Sequence, residues 1–340
     1  MREANWGRGQ HRNAVASGWL RKHAPRSFFI TSTRRYRVYG TDLVQQKRMK
    51  TILKVITLVL LLNLTAQSQS SLDDQVKPIV ASFKGKVSLF AKNLDTGQTY
   101  ALNADERVRT ASTIKIAVMI EAFARVAEGK AKWTDEVVLT KEKKVSGSGI
   151  LGELSDGLKL TLRDAVNLMM ILSDNTATNL VLDVLTTDAV NARMESLGFK
   201  QIKINRKVGS GGESTAGKDP ENKKFGLGVA TPREMVLVME KLEHGEVINA
   251  AVSKEMIDLM KREQGRNAVG RSLWSVPMAS KYGALDRLRS AVGILYTKNG
   301  KIAMAISCDD MPETMWSVDN PAYLLISRLS KVLADGLARK

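Results

Sequence analysis

Ser112-Thr113-Ile114-Lys115 is the stretch that decides the fold class, and two further polar stretches follow it along the chain. These are Ser173-Asp174-Asn175 and Lys281-Tyr282-Gly283. Each is weak alone, because S-x-x-K arises by chance in a chain with 52 lysines and arginines. Together they supply a serine with a lysine one helical turn away, a second hydroxyl beside an amide, and a cation on a predicted strand. This set predicts acyl transfer through a serine.

The first stretch has the spacing of a nucleophile and its base. Ser112 and Lys115 are three residues apart and share one face of a helix predicted over residues 113–128. At the start of a helix, the free N–H groups and the dipole favour developing negative charge. The amine of Lys115 can take the serine proton if burial lowers its pKa. Taken alone, the spacing fits an N-capping serine and a solvated lysine at least as well.

The second and third stretches add a proton relay and a substrate clamp. Ser173 lies between two predicted helices, where its hydroxyl can pass a proton to a leaving nitrogen while Asn175 holds a substrate amide. Simple N-capping is the alternative for these residues. Lys281 follows the strand-like run 276–280 and can attract a carboxylate, and Gly283 lets the backbone approach the acyl group. The alternative is a surface lysine on an edge strand.

The three stretches resemble the S-x-x-K, S-D-N and K-T-G motifs of class A β-lactamases and penicillin-binding proteins. Segments 148–151, 160–164 and 173–179 also resemble the block that leads through the S-D-N loop of that family. The resemblance implies an α/β (α+β) fold of the β-lactamase/transpeptidase type. In that fold an antiparallel sheet is flanked by helices, an all-helical subdomain is inserted, and the active site lies at their junction. It also implies an oxyanion hole formed by the backbone N–H groups of Ser112 and Ala284.

The chain departs from the family pattern at two places. Tyr282 replaces the small hydroxyl residue of K-T-G, which shifts carboxylate recognition toward Lys281 and either Arg287 or Arg289.

The E-P-x-L-N motif that holds the deacylating water in class A enzymes is absent from residues 205–222. Glu213 is the best-placed candidate for the missing base, and Glu221 with Asn222 is a weaker one. A solvated charge on a glycine-rich loop is the alternative for both glutamates.

Three functions therefore remain open from the sequence. The first is a secreted serine β-lactamase that opens the β-lactam ring through an acyl-enzyme on Ser112. The second is a penicillin-binding or D-alanyl-D-alanine peptidase-like enzyme that acylates and deacylates poorly, and the third is a non-catalytic relic domain. The predicted partner is a small β-lactam or a cell-wall peptide, bound by a monomer. With three histidines, one cysteine and no metal-ligand spacing, the sequence predicts no metal or cofactor.

The net charge of +17 is concentrated at the N-terminus. Residues 1–70 carry 13 basic and 2 acidic residues, and the rest of the chain carries +6, which argues against nucleic-acid binding. Residues 49–68 have the charged start and short apolar run of a signal peptide, which predicts a secreted or periplasmic protein. An uncleaved membrane anchor is the alternative. Residues 1–48 precede a natural start at Met49 and are expected to be untranslated or a disordered tail.

Hydrophobic periodicity divides the remaining chain into a sheet part and a helical part. We expect a catalytic domain over 75–340, with the sheet built from 75–111 and 265–340 and the helices from 112–264. A strand–turn–strand unit is predicted over 87–102, and a long surface loop over 203–228. Helices are predicted over 161–172, 175–185, 188–197, from 231, and over 253–264 and 321–337, and strands over 277–281, 290–296 and 302–308.

Overall fold

The structure is a computed structural model that describes residues 47–56, 72–209 and 211–338. The chain separates into two units, residues 1–56 and 57–340. Of the first unit, the described part is an exposed helix over 47–56. Residues 1–46 and most of the predicted signal peptide, 57–68, lie outside the described residues. Within the described ranges, no helix has both the length and the apolar character that a membrane span requires.

A five-stranded antiparallel sheet joins the two ends of the second unit, in the order β2-β1-β10-β9-β8. The register is continuous: Leu89 pairs with Ile306, and Gly293 pairs with Met304. The turn around Asn299 forms the predicted hairpin between the last two strands. The strands are β1 (Lys86–Asn93), β2 (Thr99–Leu102), β8 (Met278–Leu285), β9 (Leu288–Thr297) and β10 (Gly300–Asp309).

Helices cover both faces of the sheet. The helices are α1 (72–81), α2 (Lys115–Ala127), α3 (Leu162–Ile171), α4 (Asn175–Leu185), α5 (Thr187–Ser196), α6 (Thr215–Lys218), α7 (Pro220–Lys223), α8 (Pro232–Glu243), α9 (Ala250–Met260) and α10 (Pro321–Gly336). Side chains alternate across the strands, as a pleated sheet requires. Leu89 packs into the core shared with α1 and α10, whereas Phe90 packs into the larger core beneath α2 to α9.

The sequence predicted an all-helical insertion. The inserted part of the chain also contains strands. It contains the hairpin β4 (Glu136–Val138) and β5 (Lys159–Thr161). It also contributes β6 (Lys203–Ile204) and β7 (Gly228–Ala230), which form a small sheet with β3 (Val108–Arg109). Strands of two or three residues are too short for an alternating pattern to stand out in the sequence.

Helix α8 lies within the predicted helical part and packs on the sheet. The Lys92 amine on β1 donates to Glu240 of α8 at 2.6 Å. The guanidinium of Arg233 lies 4.5 Å from the centre of the Phe90 ring. Met235 and Val236 of α8 and Phe90 of β1 belong to one hydrophobic core, so the helical part shares its core with the sheet.

Capping residues explain where several helices begin. Thr161 and Asp164 form a capping box at α3, and Thr231 caps α8 ahead of a proline. Helix α9 begins at Ala250, earlier than predicted, because Asn249 accepts the backbone N–H of Val252. The predicted long loop over 203–228 contains α6 and α7, each of one turn. Their caps are Ser214 and Asp219.

Candidate active site

Ser112 lies in a 3-10 turn, Ala111–Ile114, that leads directly into α2. It is partly exposed and lines a cavity of about 830 Å³. Ala111 before it has φ +47°, a left-handed conformation that costs a non-glycine residue on the order of 1–3 kcal/mol. The surrounding structure therefore holds the backbone ahead of Ser112 in a strained geometry.

Gly283 lets strand β8 lie directly against this turn. A Cβ at position 283 would lie 2.7 Å from the carbonyl oxygen of Thr110 and 3.0 Å from the Cβ of Ala111. Ser290 on β9 donates to the same Thr110 carbonyl at 3.2 Å. The sheet and the nucleophile turn are thus joined by a contact that only glycine permits.

Lys115 is fully buried at the first position of α2. Its amine donates to the backbone carbonyl of Ser173 at 2.7 Å, to Ser173 Oγ at 3.3 Å and to Asn175 Oδ1 at 2.9 Å. Burial lowers the pKa of Lys115 well below its ordinary value, and the nearby charge of Lys281 lowers it further, while Asp174 opposes the shift. This lysine is therefore placed to exchange a proton with its neighbours, and its neutral form is favoured well below the pH at which an ordinary lysine loses its proton.

The Ser173-Asp174-Asn175 segment is fixed from both sides. Ser173 is buried with φ +57°, and it lies between α3 and α4 as predicted. The Asp174 carboxylate caps α4 by accepting the N–H of Ala177 at 2.7 Å. It also accepts the N–H groups of Ile150 and Leu151, at 2.7 and 2.9 Å. This buried carboxylate anchors the 150–151 turn to α4 and so fixes the neighbouring hydroxyl and amide.

Lys281 is also fully buried, in the middle of β8. Its amine lies 3.3 Å from Glu263 Oε1 and donates to the carbonyl of Tyr282 at 3.1 Å. Glu263 also accepts the Ser280 hydroxyl at 2.8 Å and the N–H of Tyr282 at 3.1 Å. Burial lowers the pKa of Lys281, and Glu263 opposes this shift. One carboxylate after α9 therefore holds three consecutive residues, 280 to 282, and the last two belong to the third polar stretch.

The cavity collects most of the predicted site residues on one surface. Ser112, Ser173, Asn175 and Ala284 line it, and Lys115 lies beneath Ser173 and Asn175. Lys281 and Gly283 lie on β8, next in sequence to the lining residues Tyr282 and Ala284. The described lining residues are Arg109, Ala111, Ser112, Gly147, Ser148, Ser173, Asn175, Val208, Leu227, Tyr282, Ala284, Leu285, Asp286, Arg287 and Trp316.

Comparison with known proteins places this arrangement in a family. The sequence model of the β-lactamase enzyme family matches residues 71–337. The chain belongs to the class A β-lactamase family. It is 25% identical over 263 residues to β-lactamase AER-1 of Aeromonas hydrophila, covering 76% of this chain and 83% of that one. It is 22% identical over 236 residues to CARB-3 of Pseudomonas aeruginosa, covering 67% and 77% of the two chains.

Solved structures agree on the fold. A β-lactamase from Sphaerobacter thermophilus superposes with a TM-score of 0.68 at 29% identity, covering 79% of this chain and 97% of that one. The penicillin-binding protein PBP-A superposes with the same TM-score, 0.68, at 21% identity, covering 78% and 95% of the two chains. The predicted fold class is therefore confirmed, and both β-lactamases and a penicillin-binding protein share it.

Glu213, the predicted base for deacylation, does not line the cavity. Its side chain is exposed and lies 3.9 Å from the Lys223 amine. The weaker candidate Glu221 is also exposed and does not line the cavity. Its carboxylate pairs with the Lys224 amine at 2.6 Å. The next residue, Ser214, is buried and its hydroxyl donates to the Ile204 carbonyl at 2.8 Å, whereas Glu213 is exposed. Neither glutamate is in position to activate a water at Ser112.

Among the described residues of the segment 205–222, Val208 is the one that lines the cavity. The Asn179 amide holds its backbone from both sides: its Nδ2 donates to the Val208 carbonyl at 3.0 Å, and its Oδ1 accepts the Val208 N–H at 2.9 Å. An apolar side chain cannot take a proton from water. The position facing the nucleophile side of the cavity is thus fixed and chemically inert.

The large ring of Tyr282, which replaces the small hydroxyl residue of K-T-G, has space because residue 265 is glycine. A Cβ at Gly265 would lie 1.9 Å from Tyr282 Cε1, so the ring rests directly on that backbone. Burial raises the pKa of the Tyr282 phenol to about 12. The amine of Lys281 lies 4.4 Å from the ring centre. The ring therefore occupies the cavity wall in front of Lys281.

The two arginines considered for carboxylate recognition have different surroundings. Arg289 is fully buried and donates to the carbonyls of Leu288 at 2.7 Å and Met315 at 2.5 Å. Arg287 is exposed, lines the cavity and donates through Nε to the carbonyl of Met311. Arg287 can therefore reach a ligand carboxylate, whereas Arg289 is committed to the protein backbone.

No direct signal in the sequence points to Glu263, Val208 or Trp316, although all three shape the site. Glu263 sits in a charged run, Lys261-Arg262-Glu263, that looks solvated. An isolated valine or tryptophan in a loop likewise carries no spacing pattern. The one available signal was Tyr282 itself, because a large ring inside a strand requires a space next to it.

Proposed function

We propose that this chain is a penicillin-recognising serine enzyme that opens β-lactams by forming an ester on Ser112. The observation that carries the proposal is the buried Lys115 amine in contact with both Ser173 and Asn175. A fully buried lysine with no carboxylate in direct contact is costly unless its neutral form is used. The family assignment supports a hydrolase or a penicillin-binding protein, and this contact supports acylation in particular.

The proposed acylation follows from the positions of these groups. Lys115, in its neutral form, takes the proton of the Ser112 hydroxyl, and the oxygen attacks the lactam carbonyl carbon. The carbonyl becomes an oxyanion, which the N–H groups of Ser112 and Ala284 stabilise. The C–N bond then breaks, and the ring nitrogen receives a proton through the Ser173 hydroxyl. Asn175 orients the substrate amide, and Arg287 binds its carboxylate.

We further propose that release of the ester is slow, as in a penicillin-binding or D-alanyl-D-alanine peptidase-like protein. Two observations support slow release over rapid β-lactamase turnover. Val208 faces the cavity from the segment where class A enzymes carry their base. Among the described residues that line the cavity, Asp286 is the carboxylate, and it is exposed beside Arg287. The cell-wall peptide ligand, export by residues 49–68 and a monomeric state remain proposals from the sequence.

Benzylpenicillin is expected to add its full mass to the protein and to remain bound. Intact-protein mass spectrometry after a short incubation and after removal of free drug measures both formation and lifetime of the adduct. Ser112→Ala is expected to abolish it. Return to the unmodified mass within seconds would instead identify an efficient β-lactamase, and the absence of any adduct would identify a relic domain.

Acylation is expected to slow as the pH falls through the lowered pKa of Lys115. The base must be neutral, so the rate is full above that pKa and is lost below it, as protonation of Lys115 proceeds. Because burial is the main cause of the shift, the decline should lie well below 10.5, the ordinary lysine value. Rates of adduct formation over about pH 5 to 10 test this. A rate that rises only toward pH 10.5, the ordinary lysine value, would contradict a lowered pKa of Lys115.

A further inference from the structure

Trp316 presents a large exposed ring to the active-site cavity. It is 65% exposed, it lines the cavity, and it lies in the loop between β10 and α10. An exposed indole leaves a large apolar surface in water, which a stacked ligand group would cover. Nothing in the acylation chemistry requires this residue.

The loop holds Trp316 in place on both sides. The Met315 carbonyl accepts Arg289 Nη2 at 2.5 Å and Asn320 Nδ2 at 2.8 Å. Arg271 donates to the Val318 carbonyl at 2.6 Å. A ring presented by a braced loop loses little conformational freedom when a ligand stacks on it.

Arg289 supports the indole from behind. Its guanidinium carbon lies 4.5 Å from the Trp316 ring centre and 5.1 Å from that of Tyr323. Burial lowers the pKa of Arg289, and the aromatic rings around it help to offset the cost of the buried charge. One face of the indole is therefore occupied by the protein, and the other is available in the cavity.

Exposure alone does not mark a site, as a second tryptophan shows. Trp274 is 73% exposed but lies outside the residues that line the cavity. Trp316 differs because it shares the cavity with Tyr282, whose ring forms another part of the wall. Trp316 and Tyr282 are the two aromatic residues among the described residues that line the cavity.

We propose that Trp316 is a specificity-determining residue that selects ligands carrying a flat aromatic substituent. This inference rests on the proposed function, since it assigns a substrate preference to the same cavity. The ligand would bind through its carboxylate to Arg287 and stack its aromatic group on the free face of the indole. Bare β-lactam nuclei would form the ester without this added contact.

The test compares two compounds with the same nucleus, benzylpenicillin and 6-aminopenicillanic acid, which lacks the aromatic side chain. Second-order rates of adduct formation give the preference of each protein for the aromatic compound. Trp316→Ala is expected to lower that preference about 3- to 10-fold, as expected for one lost aromatic contact. Trp316→Phe should retain most of it, and Trp274→Ala should leave it unchanged.

Equilibrium binding of the same two compounds to Ser112→Ala, with and without Trp316→Ala, separates this inference from the proposed function. If wild type forms no adduct but Ser112→Ala binds the aromatic compound more tightly through Trp316, the function fails and the inference stands. An equal loss for both compounds on Trp316→Ala, an unchanged ratio, or no preference in either assay overturns the inference.

Discussion

Lys115→Met is expected to slow acylation of Ser112 by about 10²- to 10⁴-fold, the usual contribution of a positioned general base. Methionine fills a similar volume without an amine, so it removes the proton acceptor while leaving Ser173 and Asn175 in place. Pre-steady-state adduct formation with benzylpenicillin, followed by mass spectrometry, measures the effect directly. Lys115→Arg should be as slow, because a guanidinium stays charged and cannot act as a base.

A second lysine provides the control for this substitution. Lys92 is half-buried on β1 and pairs with Glu240, away from the residues that line the cavity. Lys92→Met is expected to acylate at the wild-type rate. Urea unfolding should show that Lys115→Met is folded at the assay temperature, although it leaves acceptors of Ser173 and Asn175 without the lysine amine. Acylation of Lys115→Met within a few-fold of wild type would exclude this lysine as the base.

Val208→Glu is expected to shorten the lifetime of the acyl-enzyme by about 10²-fold or more, the lower range for an added general base. The side chain at this position already faces the cavity, and Asn179 fixes its backbone with two hydrogen bonds. A carboxylate introduced there can take a proton from water beside the ester, which Glu213 cannot do from its exposed position. The lifetime is read from the decay of the adduct mass after free penicillin is removed.

Val208→Gln is the matched control, since it has the same length and no basic group. It should form the ester and keep it as long as wild type. Equal lifetimes for the glutamate and glutamine variants would mean that the absence of a base at position 208 does not limit release. A wild-type lifetime already as short as that of Val208→Glu would mean that another group supplies the base.

Much of the fold could be predicted because turn and cap residues mark where many of its strands and helices begin or end. The strand–turn–strand unit, the Asn299 turn and the Thr161 and Thr231 caps each have a local chemical signal, and the structure contains all four. The inserted strands and one-turn helices could not be predicted. Their two to four residues are held by tertiary hydrogen bonds, such as those that Ser214 donates, rather than by periodicity.

The candidate site divides in the same way. The three-residue spacing predicted that Ser112 and Lys115 lie side by side. The order of the motifs along the chain indicated Ser173 and Asn175. Glu213 was predicted from its place in the stretch that corresponds to the E-P-x-L-N loop, but it is exposed and does not line the cavity. The direction of a loop side chain depends on contacts far along the chain. The role of Glu263 likewise depends on where α9 ends against β8, which no local pattern encodes.

The order of strands in the sheet controls when an active site can exist during folding. Strand β10, which begins at Gly300, lies between β1 and β9, so Lys86 pairs with Asp309 across most of the catalytic unit. Contacts so distant in sequence form slowly, because a long loop must close before they contribute stability. Until β10 is in place, β8 and β9 have no connection to β1. A chain that stops before residue 300 therefore contains all three signatures and cannot complete the sheet that brings the third to the first two.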